Sequence, residues 1–477
     1  MTKLPVKKTK IVATVGPASN TKDMLRQLIM EGVDVFRLNF SHGTHEQHAK
    51  VYQTIQELNE ELNTHICVLL DLQGPKIRIG EIEGGGMEIK SGDFLEITTE
   101  EMIGKDGMVS TTYQGLALDV SLDDMILIDD GKIELRVTEI GSNKVKGLVV
   151  HGGLLKPRKG INLPESNVSA PSLTEKDIED LEFAIKYGVE WVALSFVRSA
   201  HDIIDLKRRI KHFGKDIKVI AKIEKPEALK NIDEIIEHSD GLMVARGDLG
   251  VEILMEEVPM AQKMIVKKCR ENAKPVIIAT QIMESMITNP RPTRAETNDI
   301  ANAIFDGADA LMLSAETASG QFPIEVIRSM TRTIQTVEKH GDIYDRFNTI
   351  EPTKDTFLND NLVLTACKLG KEVNAKALIG MTKSGYTAYK LSANRPCANI
   401  FIFTANRPLL KTMNLIWGVK GYYYDGTVST DQTFADIERI LVENGHLDKG
   451  DVFINTASMP LRAFGRTNML KLNVVGE

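Results

Sequence analysis

Eight short apolar runs recur along the first two thirds of the chain, and their spacing constrains the fold more than any other feature. They occupy residues 10–16, 33–41, 66–71, 191–195, 219–224, 241–248, 275–280 and 310–314. Strands buried on both faces read as near-continuous apolar runs of this kind. Each run ends on polar residues. The end markers Thr14, Asn39, Asp71, Ser195, Lys222, Asp248, Thr280 and Ser314 are separated by 25, 32, 124, 27, 26, 32 and 34 residues. Leaving out the one outlier, the mean spacing is about 29 residues, the length of one strand–helix unit. Eight such units in succession predict a TIM (β/α)8 barrel.

The outlier leaves about 95 additional residues between the third and fourth strands. Residues 87–99, 125–140 and 145–150 alternate in the strand manner, and Gly84-Gly85-Gly86, Ser91-Gly92-Asp93 and Asp129-Asp130-Gly131 punctuate them. The spacing therefore predicts an all-β lid, a small β-barrel over 75–164, inserted between barrel segments 1–74 and 165–345. An insertion at the C-terminal end of a barrel strand lies at the mouth of the active site. Hinges near Gly74-Pro75 and within 164–171 would let it close. Pro323 opens a helix whose Ile324, Ile327, Met330, Ile334 and Val337 share a face. Beyond the polar stretch 348–355, strands at 377–381, 400–404, 452–456 and 470–475 alternate with helical patterns. They predict a C-terminal open α/β domain over 352–477.

Composition narrows the function classes. With 58 basic and 66 acidic residues the formal net charge is −8, unsuited to neutralising a nucleic-acid backbone. Cys67, Cys269, Cys367 and Cys397 form no CxxC pair and no zinc spacing. Such sparse cysteines are expected of reduced thiols in a cytoplasmic protein, which makes the Asn167-Val168-Ser169 sequon incidental. No apolar run approaches the roughly 20 residues of a membrane span. The basic start is followed by an apolar run too short for a signal peptide.

In a barrel, chemistry gathers at the strand C-termini. Those ends carry Arg37, Asn39, Ser41, Asp71, Arg78, Ser195, Lys222, Glu224, Arg246, Asp248 and Thr280. Any one of them alone reads as a solvated charge, and Lys222-x-Glu224 alone as a structural ion pair. Their joint occurrence around one predicted barrel is what points to a site. Period-two alternation puts Lys222 and Glu224 on one face, and Arg37, Asn39 and Ser41 on another. Glu224 and Asp248 suit a hard divalent cation, which takes one or two protein carboxylates and fills its shell with water and substrate oxygens. A cation site flanked by Arg and Lys fits an anionic substrate and phosphoryl transfer. His42, His45 and His48 recur every three residues, but no Cys or fourth ligand is near, so zinc is not the expectation.

The ordered motifs carry a resemblance. They are Ala13-Thr14-Val15-Gly16-Pro17, Arg37-Leu38-Asn39-Phe40-Ser41-His42-Gly43, Asp71-Leu72-Gln73-Gly74-Pro75-Lys76-Ile77-Arg78 and Lys222-Ile223-Glu224. Ala245-Arg246-Gly247-Asp248-Leu249-Gly250, Ala279-Thr280-Gln281 and Asn289-Pro290-Arg291-Pro292-Thr293 follow. Over essentially its full length the sequence resembles the pyruvate kinases, and the family's barrel, inserted lid and C-terminal domain agree with the organisation read above. The resemblance implies phosphoryl transfer from phosphoenolpyruvate to ADP, giving pyruvate and ATP, in the last step of glycolysis.

It also implies roles. Glu224 and Asp248 would hold Mg²⁺ or Mn²⁺, Lys222 would stabilise the phosphoryl group in flight, and Arg37 would bind it. Gly247 and Asp248, through their backbone, and Thr280 would hold the substrate carboxylate, with Thr280 in the proton relay. Arg78, Lys159, Asn39 and His42 would serve the nucleotide. The family's K⁺ ligands match Asn39, Ser41, Asp71 and the Leu72 carbonyl. K⁺-dependent members place Glu after Gly-Pro, however, and this chain places Lys76 there. That resembles the K⁺-independent branch, a tethered ammonium standing in for the ion. Thr382, Lys383, Ser384, Gly385 and Thr387 match the family's loop for phosphorylated effectors. The stretch 457–465 lacks the familiar bisphosphate pattern, so a sugar monophosphate or nucleotide suits it equally. The family is usually a homotetramer, and the end at Glu477 implies no additional C-terminal domain. Two rivals stand beside this reading: a metal-assisted carbon–carbon lyase on a related barrel, and a non-catalytic metabolite sensor.

Overall fold

The computed structural model describes residues 4–166, 168–426, 429–460 and 466–477. Asn167 of the sequon and residues 461–465 of the C-terminal stretch lie outside the described residues. Strands β1 (Lys10–Thr14), β2 (Val35–Asn39), β3 (Cys67–Asp71), β4 (Trp191–Leu194), β5 (Lys218–Ile223), β6 (Gly241–Ala245), β7 (Val276–Ala279) and β8 (Ala310–Leu313) close a barrel in chain order. All pairs are parallel, and Val12 of β1 stands beside Met312 of β8. The alternation of each strand divides two cores. Val12, Leu69, Trp191, Ile220, Met243 and Ile277 fill the interior. Ile11, Phe36, Val68, Leu70, Val192 and Val244 face the surrounding helices. Polar signals stop those helices where expected. Thr174 and Thr293 open helices with capping boxes, and Gly188 and Gly307 close them in the left-handed conformation.

The insertion forms its own core of Ile79, Leu95, Ile97, Val109, Ile126, Leu135, Val137 and Val149. Its main sheet has six strands, in the order Ile161–Asn162, Met125–Ile128, Ile133–Ile140, Lys144–His151, Phe94–Thr98, Met108–Ser110. The sheet is not closed by strand pairing. Isolated bridges from Arg78 to Gly160 and from Ile79 to Thr111 span its two edges, giving a half-barrel. A helical turn at Leu116–Asp119 interrupts the β pattern. The strands Met108–Ser110 and Gly153–Leu155 and the pair Ile161–Asn162 were too short to announce themselves in the sequence.

The C-terminal region is a five-stranded sheet in the order Val419–Tyr423, Asn399–Thr404, Ala377–Met381, Val452–Ala457, Met469–Val474, the last strand antiparallel. Val419–Tyr423 is an addition to the expected strands. As an edge strand it is only partly buried, and Lys420 and Gly421 break its apolar pattern. Among the described residues, no helix is long and apolar enough to cross a membrane.

This region plugs the floor of the barrel. Leu415 enters the barrel interior beneath Trp191, whose Nε1–H donates to the Thr412 carbonyl at 3.1 Å. Arg395 donates to the Gly307 carbonyl at 2.7 Å and to Asp309 Oδ2 at 3.0 Å, and its guanidinium lies over the Trp417 ring. Both partners are almost fully buried. Removing one member of such a pair leaves the other charge uncompensated, typically a loss of about 3–5 kcal/mol. Asp309→Ala is therefore expected to lower the stability of the domain junction by that amount, measured by chemical denaturation with a probe on Trp417.

Glu190, at the same end of the barrel, accepts from the Val68 N–H at 2.8 Å. Burial pushes its carboxyl up to about 7, against the opposing Val68 hydrogen bond and the Lys411 charge. The folded state thus holds a proton that the unfolded chain releases near the ordinary glutamate value. Stability is expected to fall as pH rises from about 4.5 to about 7 and to level off above that. Glu190→Gln is expected to remove that slope and to raise stability at pH 8 by about 1–3 kcal/mol. Thermal unfolding of both proteins between pH 5 and 8 checks it.

Candidate active site

The C-terminal ends of the barrel strands and the root of the lid enclose an open cleft of about 190 Å³. Arg37, Asn39, Ser41, His42, Asp71 and Leu72 line it. So do Lys76, Arg78, Lys222, Glu224 and Asp248. The register explains the grouping, since Asn39 stands beside Asp71 and Asp71 beside Ala193 across three adjacent strands.

Lys222 is the hub. Its Nζ donates to Ser195 Oγ at 2.6 Å and lies 2.9 Å from Glu224 Oε1 and 3.3 Å from Asp71 Oδ1. Burial alone would depress this lysine, but the charges of Asp71 and Glu224 outweigh it and hold the ammonium well above its usual range. Burial likewise raises Asp71, and the cations Lys222 and Arg37 reverse the effect and keep it ionised. For Glu224, burial wins. Its carboxyl is raised, relieved partly by Lys222 and pushed further by Asp248. Glu224 Oε2 accepts from the Phe196 N–H at 2.6 Å.

Arg37 is oriented from behind. Its Nε donates to Asp71 Oδ2 at 2.7 Å and one terminal nitrogen to Thr14 Oγ1 at 3.0 Å. Asp71 therefore serves both cations. The Leu72 carbonyl accepts from Ser195 Oγ at 2.7 Å, and Asn39 Oδ1 accepts from the Ser41 N–H at 3.2 Å. Lys76 Nζ reaches Asp248 Oδ1 at 3.5 Å, with both side chains about a third exposed.

Gly247 and Thr280 form an adjoining corner. The Gly247 N–H donates to Thr280 Oγ1 at 2.7 Å, and Arg246 braces the Thr280 carbonyl at 2.7 Å. A side chain on Gly247 would meet the Thr280 side chain at 3.4 Å. Thr280 (φ +67°), Gln281 (φ +53°) and Phe196 (φ +54°) all adopt the left-handed region. For a β-branched residue that conformation is costly and persists only where its surroundings impose it, as at functional sites.

One residue expected to serve the nucleotide lies elsewhere. Lys159 is bound to Asp129 within the lid at 2.7 Å and does not line the cleft. His45 lies 2.7 Å from Asp180, and His48 stacks on Phe40 and contacts the His42 carbonyl, so these rings pack at a helix start. In the C-terminal loop, Gly385 (φ +88°) donates to Thr382 Oγ1 at 3.0 Å, and the helix Tyr386–Ala393 follows. Thr387 is buried under that loop, bonded to Thr467 at 2.8 Å.

As chemistry, two carboxylates of one cleft beside a fixed ammonium and a braced guanidinium can receive a cation together with a polyanionic substrate. The hard oxygen donors of Glu224 and Asp248 fit a divalent metal ion. Water and substrate oxygens would complete its shell.

The family model described as "Pyruvate kinase, barrel domain" matches residues 6–327, and "Pyruvate kinase, alpha/beta domain" matches 360–473. A protein named pyruvate kinase from Staphylococcus epidermidis is 41% identical over 99% of this chain and 81% of its own length. One from Staphylococcus aureus shows the same identity and coverage. The crystal structure of a pyruvate kinase from Cryptosporidium parvum superposes with a TM-score of 0.92 at 35% identity, covering 98% of this chain and 96% of that one. By the sequence of both matched regions and by its full-length relatives, the chain belongs to the pyruvate kinase family.

Proposed function

We propose that the chain transfers the phosphoryl group of phosphoenolpyruvate to ADP, giving pyruvate and ATP. The observation that carries this reading is the Arg37–Asp71–Lys222–Glu224 network, two fixed cations held by two buried carboxylates in one cleft. Arg37 binds the phosphoryl group of the substrate. Its carboxylate sits against the Gly247 and Asp248 backbone and the Thr280 hydroxyl. The phosphorus–oxygen bond to the enol oxygen breaks as a bond forms to an oxygen of the ADP β-phosphate. Lys222 holds its positive charge where negative charge shifts during transfer. The remaining enolate takes a proton at its methylene carbon, delivered through the Thr280 hydroxyl. Arg78, at the lid root, binds the nucleotide phosphates with Asn39 and His42, and Lys159 joins them from the lid when it closes.

The family generally uses Mg²⁺ and K⁺. Glu224 and Asp248 would hold Mg²⁺ or Mn²⁺, which supplies electrophilic stabilisation of the phosphoryl oxygens. Lys76 lines the cleft with Asn39, Ser41, Asp71 and Leu72, the proposed K⁺ ligands. Its ammonium takes the place of that ion, so K⁺ is not required. A phosphorylated effector binds at Thr382–Gly385, with Lys383 and Ser384 facing it. Exposed Leu254, Met255 and Met260 supply an apolar face for assembly into a homotetramer in the cytoplasm. An aldolase using Lys222 as a Schiff base is disfavoured, because an ammonium held above its usual range is not a nucleophile.

The test is pyruvate formation from phosphoenolpyruvate with Mg²⁺, with and without ADP, all K⁺ replaced by a bulky organic cation. ADP-dependent activity without K⁺ is expected. ADP-independent pyruvate release would mean that water, not ADP, takes the phosphoryl group, and would overturn the kinase reading. For the effector loop, Ser384→Asp is expected to abolish any stimulation by sugar phosphates or nucleotides while leaving basal turnover intact.

A further inference from the structure

The chain crosses between barrel and lid twice, and a buried carboxylate grips each crossing. On the outgoing crossing the Gly74 N–H donates to Asp177 Oδ1 at 3.0 Å, and Asp177 is fully buried. On the return, Asn162 Nδ2–H donates to Glu252 Oε1 at 2.7 Å. The same oxygen takes Lys225 Nζ at 2.6 Å. Asn162, Glu252 and Lys225 are 9%, 4% and 9% exposed.

The two grips differ in kind. Gly74 is held through its backbone at φ +69°, as a pivot would be. Asn162 is held through its side chain, and the group it leaves behind is already paired. If Asn162 withdraws, Glu252 keeps Lys225 and no buried charge is stranded. A neutral donor on the lid and a compensated ion pair on the barrel make a contact that can be released at the cost of one hydrogen bond.

The contact also ties the nucleotide side of the lid to the barrel. Asn162 pairs with Leu127 in the lid sheet, so it moves with the lid. Two residues before it, Gly160 bridges Arg78, and the Ile161 N–H donates to the Ile77 carbonyl at 2.9 Å. On the barrel side, Glu252 ends the helix Arg246–Glu252 that carries Gly247 and Asp248, and Lys225 follows Glu224 directly.

We propose that Glu252 is a positioning residue: through Asn162 it latches the returning strand of the lid and so sets where Arg78 meets the nucleotide, without touching either substrate. This rests on the kinase reading above. Loss of the latch therefore acts on the nucleotide and spares the phosphoenolpyruvate site.

The test compares wild type, Asn162→Ala, Asn162→Asp, Glu252→Gln and the swapped double variant Asn162→Asp/Glu252→Gln. In the double variant the Gln amide donates to the Asp carboxylate and Lys225 keeps an acidic neighbour. Each substrate is titrated at saturating concentration of the other, and amide exchange of residues 161–163 is followed in parallel. Asn162→Ala is expected to raise KM for ADP roughly tenfold, to leave KM for phosphoenolpyruvate within twofold, and to speed the exchange. The double variant is expected to recover most of the ADP affinity. Equal shifts in both KM values, no shift in either, or a double variant no better than its singles would overturn the proposal. If Asn162→Ala does not fold, Asn162→Ser carries the same test. If wild type makes no pyruvate from phosphoenolpyruvate and ADP, the kinase reading fails by itself. The exchange rates then decide the latch: faster in the variant supports it, unchanged overturns it.

Discussion

Lys222→Met is expected to lower kcat for pyruvate formation by roughly 10³-fold, with a much smaller change in KM for phosphoenolpyruvate. Methionine keeps the length and apolar stem of lysine and removes only the charge and its donors. In the wild type that charge is fixed by geometry: Ser195 Oγ, Glu224 and Asp71 surround Nζ within 3.3 Å, and the side chain is 11% exposed. The ammonium therefore needs no reorganisation as phosphoryl charge moves, which is the condition under which such a group matters most. Folding is expected to survive, since Asp71 remains tied to Arg37 through a 2.7 Å hydrogen bond. Lys222→Arg should not rescue activity. The planar fork cannot place one charge at Nζ within a site already closed by three partners. Single-turnover kinetics with a circular dichroism check on folding reads this out. A folded variant retaining activity within tenfold of wild type would remove Lys222 from the transfer step.

How far the sequence revealed this site depends on the range of the interaction. The strand ends were legible because the barrel repeats at near-constant spacing and alternation fixes which side chains share a face. That places Lys222 beside Glu224 and Arg37 beside Asn39 with no three-dimensional information. Contacts between distant segments had no such signal. Ser195 stood among the strand ends, but its link from Leu72 to Lys222 needed the β3–β4 pairing. Phe196 offers only its backbone N–H, presented to Glu224 by a positive φ that its residue type does not advertise. Asp71, matched by resemblance to a K⁺ ligand, is also the counter-ion of Arg37 and Lys222, which spacing alone could not show. Asn162 and Glu252 lie 90 positions apart, in a two-residue strand and at a helix end. Lid strands as short as Ile161–Asn162 carry too few residues for alternation to register.

Lys76→Glu tests the one position where this chain departs from the K⁺-dependent motif. In the absence of K⁺ the variant is expected to lose roughly 10²-fold in activity, and K⁺ is expected to restore most of it. The wild type should be indifferent to the ion. Lys76 Nζ approaches Asp248 to 3.5 Å, in a cleft that already holds Asp71 and Glu224. Reversing its sign places a third carboxylate facing Asp248 and Glu224 and removes a cation from the path of an incoming polyanion. Burial and Asp248 already raise Glu224, so additional negative potential drives it further towards its neutral form and weakens its hold on a divalent ion. A monovalent cation at Asn39, Ser41 and Asp71 would offset that potential, as the tethered ammonium does. Lys76→Met separates the two contributions, since it removes the positive charge without adding a negative one. An intermediate loss with partial K⁺ rescue is expected there. Activity of Lys76→Glu that is the same in K⁺ and in a bulky organic cation would reduce Lys76 to a lysine at the lid root and leave the cleft's charge balance to Arg37 and Lys222.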